Sequence, residues 1–316
     1  MSKEFKGKDI EKGIAVPTCI SVNNIVGHYS PLNGNTEEIE EGDMVKIDLG
    51  CHIDGYSAQA AHTVVVQSGA AAPITGRAAD VMQATSVCYE AAARLIKPGK
   101  KISDVAPVLA KIAEAYGCNH IEGVMSHQMN RFIIDGGKVV LNRPNPDQKI
   151  EDAEFAEGEV YSIDIIMSTG DGKPRVGDEK ETTVFKRSLE HNYMLKLKAS
   201  RELFAEINKK YPTMLFSLRG IEDGEAGRTR LGLADCLAHG LLNAFPVTYE
   251  KPGDLVAQMK GTFLLTPNGS DRITQAALQA VESDKSVDDE EITALLSTSL
   301  KKKKGKKAKK AAAAAQ

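Results

Sequence analysis

The stretch Glu41-Gly42-Asp43-Met44-Val45-Lys46-Ile47-Asp48 has a counterpart later in the chain, Glu157-Gly158-Glu159-Val160-Tyr161-Ser162-Ile163-Asp164. Each copy has an acidic residue before a glycine and an acidic residue after it, and each ends in Ile-Asp. This match predicts two related half-domains, in which the chain leaves a turn, enters a strand and carries an aspartate at the same strand position. The two aspartates are then expected to approach each other where the half-domains meet.

The first copy continues into a predicted β-hairpin. The apolar run of Met44–Gly50 extends as Cys51–Ile53, and Ala58–Val66 returns after Asp54-Gly55, a dipeptide typical of hairpin turns. Helical periodicity predicts one helix over Arg77–Ile96 and a second that has Ser103 as its N-cap and ends at Gly117. Further strands are predicted at Val139–Leu141, Val160–Met167, Glu181–Lys186 and Val256–Thr266. This order of elements predicts an α+β fold.

The second half of the chain predicts further units. Leucines at helical spacing predict an amphipathic helix over Tyr193–Tyr211, within a helical insertion at about residues 190–245 of a main domain covering residues 1–282. Residues 283–300 form an acidic linker with a short helix predicted at Asp289–Ser297. Residues 301–316 are rich in lysine and alanine and are predicted to be disordered.

Charge is distributed unevenly along the 316 residues. The composition, 42% hydrophobic and 26% charged, excludes a wholly disordered chain. The net charge is −3, and without the eight lysines of the tail the rest of the chain carries −11. These lysines are Lys301, Lys302, Lys303, Lys304, Lys306, Lys307, Lys309 and Lys310. They predict salt-sensitive, weakly sequence-specific contacts with RNA phosphates, and the alternative is a solubilising tail or a nuclear or nucleolar address.

Five scattered cysteines without a Cys-x-x-Cys pair indicate reduced thiols. No apolar run approaches the roughly 18–20 residues of a membrane span, so membrane insertion is not expected. Met1-Ser2-Lys3-Glu4-Phe5-Lys6 does not have the pattern of a signal peptide. We therefore expect a cytoplasmic protein, with a nuclear or nucleolar pool if the tail acts as an address.

Asp48 and Asp164 are candidates for a site that binds divalent metal ions, because such ions prefer several carboxylates and accept an imidazole. His28 and His127 are able to complete such a site. Taken singly, however, a strand aspartate is usually structural and a loop histidine is usually solvated.

Together these residues resemble the methionine aminopeptidase family of pita-bread fold, most closely its type 2 branch, which also carries a helical insertion. The resemblance extends from about Gly13 to Thr274. The motifs that carry it are Ala15-Val16-Pro17-Thr18, Ser21-Val22-Asn23-Asn24, Lys46-Ile47-Asp48-Leu49-Gly50, Ala60-Ala61-His62-Thr63, Gly158-Glu159-Val160-Tyr161 and Gln258 through Pro267. Active members of the family hold two metal ions with two Asp, one His and two Glu. The resemblance places the first Asp on Asp48, the metal-binding His on His127 and a substrate-positioning His on His28.

The remaining positions depart from that pattern. The second, bridging Asp falls on Gln59, and the first Glu falls on Asp164. The bridging Glu falls on Lys260, and a further family His falls on Asp135. An ammonium about 4 Å from a divalent ion is repelled by roughly 8 kcal/mol at an effective dielectric constant near 20. The sequence therefore predicts an inactive enzyme without metal or cofactor, in which Lys260 forms a salt bridge to Asp48 or Asp164.

One alternative keeps the enzyme. A single metal ion held by Asp48, His127 and Asp164, with His28 aiding proton transfer, would give a mononuclear methionine aminopeptidase. Another alternative is a protein-binding module that holds a peptide in the old substrate cleft.

The replacements and the lysine-rich end are similar to those of the proliferation-associated, ErbB-receptor-binding proteins, a non-peptidase branch of the family. This resemblance implies ribosomal RNA and the large ribosomal subunit as partners, with roles in growth, translation and transcription, and leaves transcription regulators or a receptor tail as further partners. Ile292, Leu295 and Leu296 resemble a leucine-rich helical box and are predicted to bind protein, unless they pack on their own domain. Family members usually carry a leading helical segment before Gly13, so we expect exposed apolar surface on the first half-domain.

Overall fold

The computed structural model describes residues 10–69, 72–143, 152–221 and 226–301. The strands are β1 (Lys12–Val22), β2 (Ile25–Gly27), β3 (Met44–Ile53), β4 (Tyr56–Val65), β5 (Asn119–His120), β6 (Met125–Met129), β7 (Val139–Leu141), β8 (Val160–Ser168), β9 (Arg175–Val176), β10 (Val184–Arg187), β11 (Leu215–Ser217), β12 (Leu242–Phe245), β13 (Thr248–Tyr249), β14 (Val256–Thr266) and β15 (Gly269–Arg272). The α-helices are α1 (Gly76–Leu95), α2 (Val105–Ala115), α3 (Lys198–Lys210), α4 (Ala226–Ala238) and α5 (Glu290–Ser297).

Nine of these strands form one antiparallel sheet, in the order β1-β3-β4-β14-β8-β6-β7, with β15 paired to β14 and β5 paired to β8. The two halves of the predicted repeat occupy matching places in this sheet. Gly42 donates its N–H to the Val66 carbonyl at 2.9 Å, and Gly158 donates to the Leu265 carbonyl at 2.8 Å. Both glycines have positive φ, at 92° and 84°. The predicted pseudo-twofold α+β fold is confirmed, and its axis passes between β4 and β14.

Local sequence signals fix most of these elements. Asp54 and Gly55 both have positive φ, at 54° and 78°, as expected for the turn that matches the twist of a hairpin. The helix predicted over Arg77–Ile96 is α1, with each end shifted by one residue. The prediction that Ser103 caps the second helix was wrong by one residue. A single 3-10 turn precedes α2. Asp104 occupies the N-cap position of α2, and its carboxylate accepts a hydrogen bond from the Lys101 N–H.

The main core lies between α1, α2 and the sheet face formed by β8 and β14. Tyr161, Ile163 and Phe263 are fully buried there and face α1. Alanine is the commonest buried residue of α1, and Ala84 and Ala91 are fully buried. Small side chains allow the helix to approach the sheet closely, so the larger sheet residues fill the layer.

Residues 190–245 contain α3, α4 and the strands β11 and β12, which flank β10 in a second, three-stranded sheet. A separate apolar cluster holds this part together, with Ile207, Phe216 and Cys236 at its centre. A third sheet, in the order β2-β13-β9, was not anticipated from the sequence.

The acidic stretch at residues 283–300 packs along α1. Lys285 Nζ lies 2.8 Å from Asp80 Oδ2, and Asp289 caps α5 by accepting the N–H groups of Glu291 and Ile292. Ile292 is only 3% exposed and belongs to the main core. Leu295 and Leu296 are partly buried against the same core. Ile292 thus follows the alternative, in which the apolar face of this helix packs on its own domain, and partner binding through Leu295 and Leu296 stays a prediction.

Lys46 is a buried cation on β3. Its side chain is 1% exposed, and Nζ donates to the Asn23 carbonyl at 2.8 Å. Burial lowers the pKa of Lys46 to about 7. Above that pH the unfolded chain retains a proton that the folded chain has released, so this group makes the free energy of unfolding rise with pH until the unfolded lysine also deprotonates.

We expect Lys46→Met to be more stable than the unchanged protein near pH 6, where the native state must bury the charged ammonium. The advantage should shrink steadily towards pH 10, because the buried amine is then neutral. Urea unfolding at a series of pH values measures this difference. Lys100→Met, at an exposed lysine, is the matched control and should show no such trend; a pH-independent effect of Lys46→Met contradicts the assignment.

Candidate functional site

A row of residues crosses the four central strands of the large sheet. In the strand register Asp48 of β3 faces Ala61 of β4, Ala61 faces Lys260 of β14, and Lys260 faces Asp164 of β8. Ala61 and Lys260 are therefore counterparts across the pseudo-twofold axis. Because alanine is short, the long lysine side chain has the space between the two aspartates to itself.

Lys260 forms an ion triad with Asp48 and Asp164. Its Nζ lies 2.5 Å from Asp48 Oδ2 and 2.9 Å from Asp164 Oδ2. The three side chains are between 10% and 16% exposed. Two carboxylates and one ammonium leave the triad with a net charge of −1. The predicted salt bridge of Lys260 is present and joins both aspartates.

Protonation in the triad follows from burial and charge. Desolvation lowers the pKa of Lys260, but the two carboxylates outweigh it and hold the pKa above its ordinary value. Desolvation raises the pKa of Asp48, with a contribution from the negative charge of Asp164, against the opposing effect of Lys260. The ammonium therefore keeps its proton throughout the physiological range.

Gln258 is a fourth member of this network that sequence reasoning did not single out. Its Nε2 donates to Asp164 Oδ1 at 2.9 Å and lies 3.5 Å from Asp48 Oδ2. Both oxygens of Asp164 are thus engaged, whereas Asp48 Oδ1 is buried without a hydrogen-bond partner.

Gln59 is turned away from the triad. Its Oε1 accepts the Ser162 hydroxyl at 3.0 Å, and its Nε2 donates to Met129 Sδ at 3.3 Å. The amide is 5% exposed and spans β4 and β8 within the sheet. It therefore joins the two half-domains by hydrogen bonds at the position where the enzymes of the family have a bridging carboxylate.

Two histidines face the same space from opposite sides. His28 follows β2 in a left-handed conformation, with φ of 62°, and its Nδ1 lies 3.3 Å from the Pro246 carbonyl. His127 lies on β6, and its buried Nδ1 has no hydrogen-bond partner. Burial lowers the pKa of both imidazoles, and the charge of Lys260 adds to the effect. Both rings are therefore neutral at neutral pH.

Asp135 forms an ion pair with a lysine of the three-stranded sheet β11-β10-β12. Lys186 of β10 places its Nζ 2.5 Å and 2.6 Å from the two carboxylate oxygens of Asp135. The sequence did not identify Lys186 as a site residue. This contact is a direct side-chain link between the cleft and the sheet that joins residues 190–245 to the rest of the chain.

All seven residues predicted for the pocket line one cavity of about 430 Å³. They are His28, Asp48, Gln59, His127, Asp135, Asp164 and Lys260. Most of the remaining wall is apolar and includes Val16, Val184 and Phe245. The cleft is therefore an open cavity in which the ion triad forms the charged part of the wall and apolar side chains form most of the rest.

The two metal ions of the enzymes that the sequence resembles do not fit between the side chains of the ion triad. In the part of the chain that the structure describes, no three His, Cys, Asp or Glu side chains are placed to hold a metal ion. Lys260 Nζ occupies the position between the carboxylates, and a dication there would meet the ammonium directly. The single-metal arrangement of Asp48, His127 and Asp164 meets the same obstacle.

The remaining predicted binding residues lie at the chain end. Lys301 pairs with Asp271, and it forms a bridge with Gly269 at the tip of the β14–β15 hairpin. The other tail lysines lie outside the described residues. Within the described ranges, none of the helices has the length and apolar character needed to span a membrane.

Comparison with known proteins identifies the family. The chain belongs to metallopeptidase family M24, whose model matches residues 3–192. A Solanum tuberosum protein called ERBB-3 binding protein 1 is 54% identical over 95% of this chain and 76% of its own length. A protein of Schizosaccharomyces pombe called curved DNA-binding protein is 40% identical over 95% of this chain and 79% of its own. A solved structure of a thermophilic Arx1 has a TM-score of 0.86 and 30% identity, and covers 95% of this chain and 87% of that one.

These relatives confirm the predicted branch. The chain is a methionine aminopeptidase-like protein of the non-peptidase branch that includes the ErbB-3-binding proteins. The pita-bread fold is confirmed as well.

We expect Lys260→Met to destabilise the protein by about 3–5 kcal/mol near pH 7, because two buried carboxylates are then left without a cation. Their repulsion favours binding of a proton in the native state, so the deficit should shrink as the pH falls towards 4.5. Urea unfolding at both pH values measures this change. Lys138→Met, which removes the less deeply buried ion pair with Glu159, is the control. A loss for Lys260→Met that stays constant with pH contradicts this account of the triad.

Proposed function

We propose that the protein is a catalytically inactive member of family M24 that binds RNA and the large ribosomal subunit. In this proposal the protein regulates growth, translation and transcription. It is located in the cytoplasm, with a nuclear or nucleolar pool. The observation that carries the proposal is the pairing of Lys260 with both Asp48 and Asp164.

The chemistry of the cleft supports inactivity. Peptide hydrolysis by a binuclear site requires a metal-bound water that loses its proton near neutral pH. Here the two aspartates are neutralised in part by an ammonium, and Gln59 is bonded within the sheet. The neutral imidazoles of His28 and His127 have no metal-bound water to act on. The cleft therefore retains groups that bind and lacks the group that generates a nucleophile.

We expect the unchanged protein to bind neither Co²⁺ nor Mn²⁺ stoichiometrically and to release no Met from a Met-Ala-Ser peptide. The double variant Lys260→Glu with Gln59→Asp should gain metal affinity, because it restores both bridging carboxylates. Isothermal titration and a peptide-release assay measure the two properties.

The matched control adds Asp48→Asn to that double variant and should abolish the gained affinity. Turnover by the unchanged protein would show an active peptidase, including the mononuclear form, and would overturn the proposal.

The RNA-binding part rests on the lysine-rich end and on its attachment. Lys301, the first lysine of this end, is attached to the β14–β15 hairpin. Each contacted phosphate releases counterions, which makes binding strong at low salt and insensitive to base sequence. The S. pombe relative is called a curved DNA-binding protein, and this name refers to DNA. The resemblance of the sequence to the non-peptidase branch is what points to the ribosome.

The body offers weaker candidates for further contacts. The cationic segments at residues 196–198 and 209–210 flank and belong to α3, where Lys198 lies 3.7 Å from Glu202 and Lys210 lies 2.8 Å from Glu206. Intrahelical pairs of this kind reduce the charge available to phosphate. We therefore assign the larger share of the affinity to the tail.

We expect the full chain to co-sediment with large ribosomal subunits at low salt. If all eight lysines contact phosphate, the logarithm of the association constant should fall with the logarithm of the salt concentration, with a slope of roughly −6 to −7. Removal of residues 301–316 should weaken binding and flatten this slope. Nuclease treatment of the subunits is the control for protein-mediated contacts.

If neither removal of residues 301–316 nor added salt changes the affinity for the large subunit, the electrostatic role of the tail is contradicted. A partner that survives nuclease treatment would favour a protein-binding module instead.

A further inference from the structure

A second cavity lies beneath α1, where β4 and β14 meet. It has a volume of about 80 Å³ and is closed at one side by residues 278–281. This is about half of the roughly 150 Å³ of an engineered apolar cavity that binds benzene. The space therefore suits an ion or a few water molecules rather than an organic ligand.

His62 faces this cavity with an unsatisfied imidazole. Neither Nδ1 nor Nε2 has a hydrogen-bond partner, although both atoms are buried. Buried polar atoms nearly always have a partner, so two free nitrogens on one ring indicate a missing ligand or water. Burial also lowers the pKa of His62, which keeps the ring neutral and its lone pair available.

Met259 lines the same cavity from β14. The β4–β14 register pairs Gly261 with Ala60 and Lys260 with Ala61, and His62 and Met259 are the next residues along the two strands. The Thr63 hydroxyl holds the strands together just beyond this pair, through contacts to the N–H and carbonyl of Gln258 at 2.7 Å and 2.8 Å.

Met82 brings a second thioether to the same cavity from α1, where it is buried. Methionine has three rotatable bonds, so its sulfur is able to adjust towards a bound ion. One imidazole and two methionine side chains thus line the cavity from three elements of the fold.

Among the described residues, none that lines this cavity has a charged side chain. A hard divalent cation would be left without compensating charge or carboxylate ligands there. Neutral imidazole and thioether ligands instead suit a soft monovalent ion. We propose that His62, Met82 and Met259 form a binding site for Cu(I), on the opposite side of the β4–β14 pair from the ion triad.

A bound ion would link β4, β14 and α1 beneath the segment that closes the cavity. Gln279 fixes this segment by accepting the Val65 N–H at 2.8 Å and donating to the Val65 carbonyl at 3.0 Å. Binding to the folded state alone raises the melting temperature. Cu(I) should therefore stabilise the protein as well as associate with it.

The test is an anaerobic titration of the full chain with Cu(I), in competition with bicinchoninate. The unchanged protein should bind one tight equivalent and melt at a higher temperature. Met259→Leu and Met82→Leu conserve side-chain volume, so they should still fold. Each should lower the affinity by at least roughly 100-fold, the upper end of the loss caused by removing an outer-shell partner.

Two control variants separate this site from other copper ligands. Met194→Leu removes an 87% exposed thioether, and Cys51→Ser removes an exposed thiol. Both should retain the tight equivalent, and X-ray absorption should show nitrogen together with thioether sulfur around the copper.

The proposal would be overturned if the unchanged protein bound no Cu(I) tightly. It would also be overturned if Cys51→Ser lost the tightly bound Cu(I), or if Met259→Leu bound Cu(I) with unchanged affinity. His62→Phe should also lose the equivalent while keeping the circular dichroism spectrum of the unchanged protein.

Discussion

The arrangement of the cleft depends on one electrostatic constraint, which is that two buried carboxylates of like charge need a cation between them. The pseudo-twofold repeat places Asp48 and Asp164 at matching positions of β3 and β8. A chain that keeps both residues ionised in this fold must therefore supply positive charge at the axis. Lys260 supplies it from β14 and needs no ligand from outside the chain.

Replacing a metal cluster by an ammonium changes what the cleft is able to do. A metal cluster binds and activates water, whereas an ammonium donates hydrogen bonds to carboxylates and is then satisfied. The cavity nevertheless remains open, with about 430 Å³ between the triad and the apolar walls. The ion triad thus leaves open space in the cleft that is able to hold a ligand.

The sequence predicted those features that local patterns specify. Strand periodicity predicted the repeat and the hairpin at Asp54-Gly55. The resemblance carried by several motifs predicted that Lys260 approaches the aspartates. Lys186 was missed because its contact with Asp135 joins strands of two different sheets, and no local pattern encodes such a distance. The helix at residues 290–297 was recognised, but the sequence left open whether its apolar face contacts a partner or its own domain. An apolar face shows that Ile292 is covered, but it does not show by which surface.

The difference from the enzymes extends beyond a single residue, because each departing position has acquired a partner of its own. The Gln59 amide is bonded to Ser162 and Met129, and Asp135 is paired with Lys186. A typical buried hydrogen bond contributes about 1 kcal/mol, and leaving its partner unsatisfied costs about 1–3 kcal/mol more. These contacts would have to be broken together before a bridging carboxylate pair and a catalytic histidine could return. The cleft is therefore stabilised by a set of mutually supporting contacts, of which the ion triad is the central one.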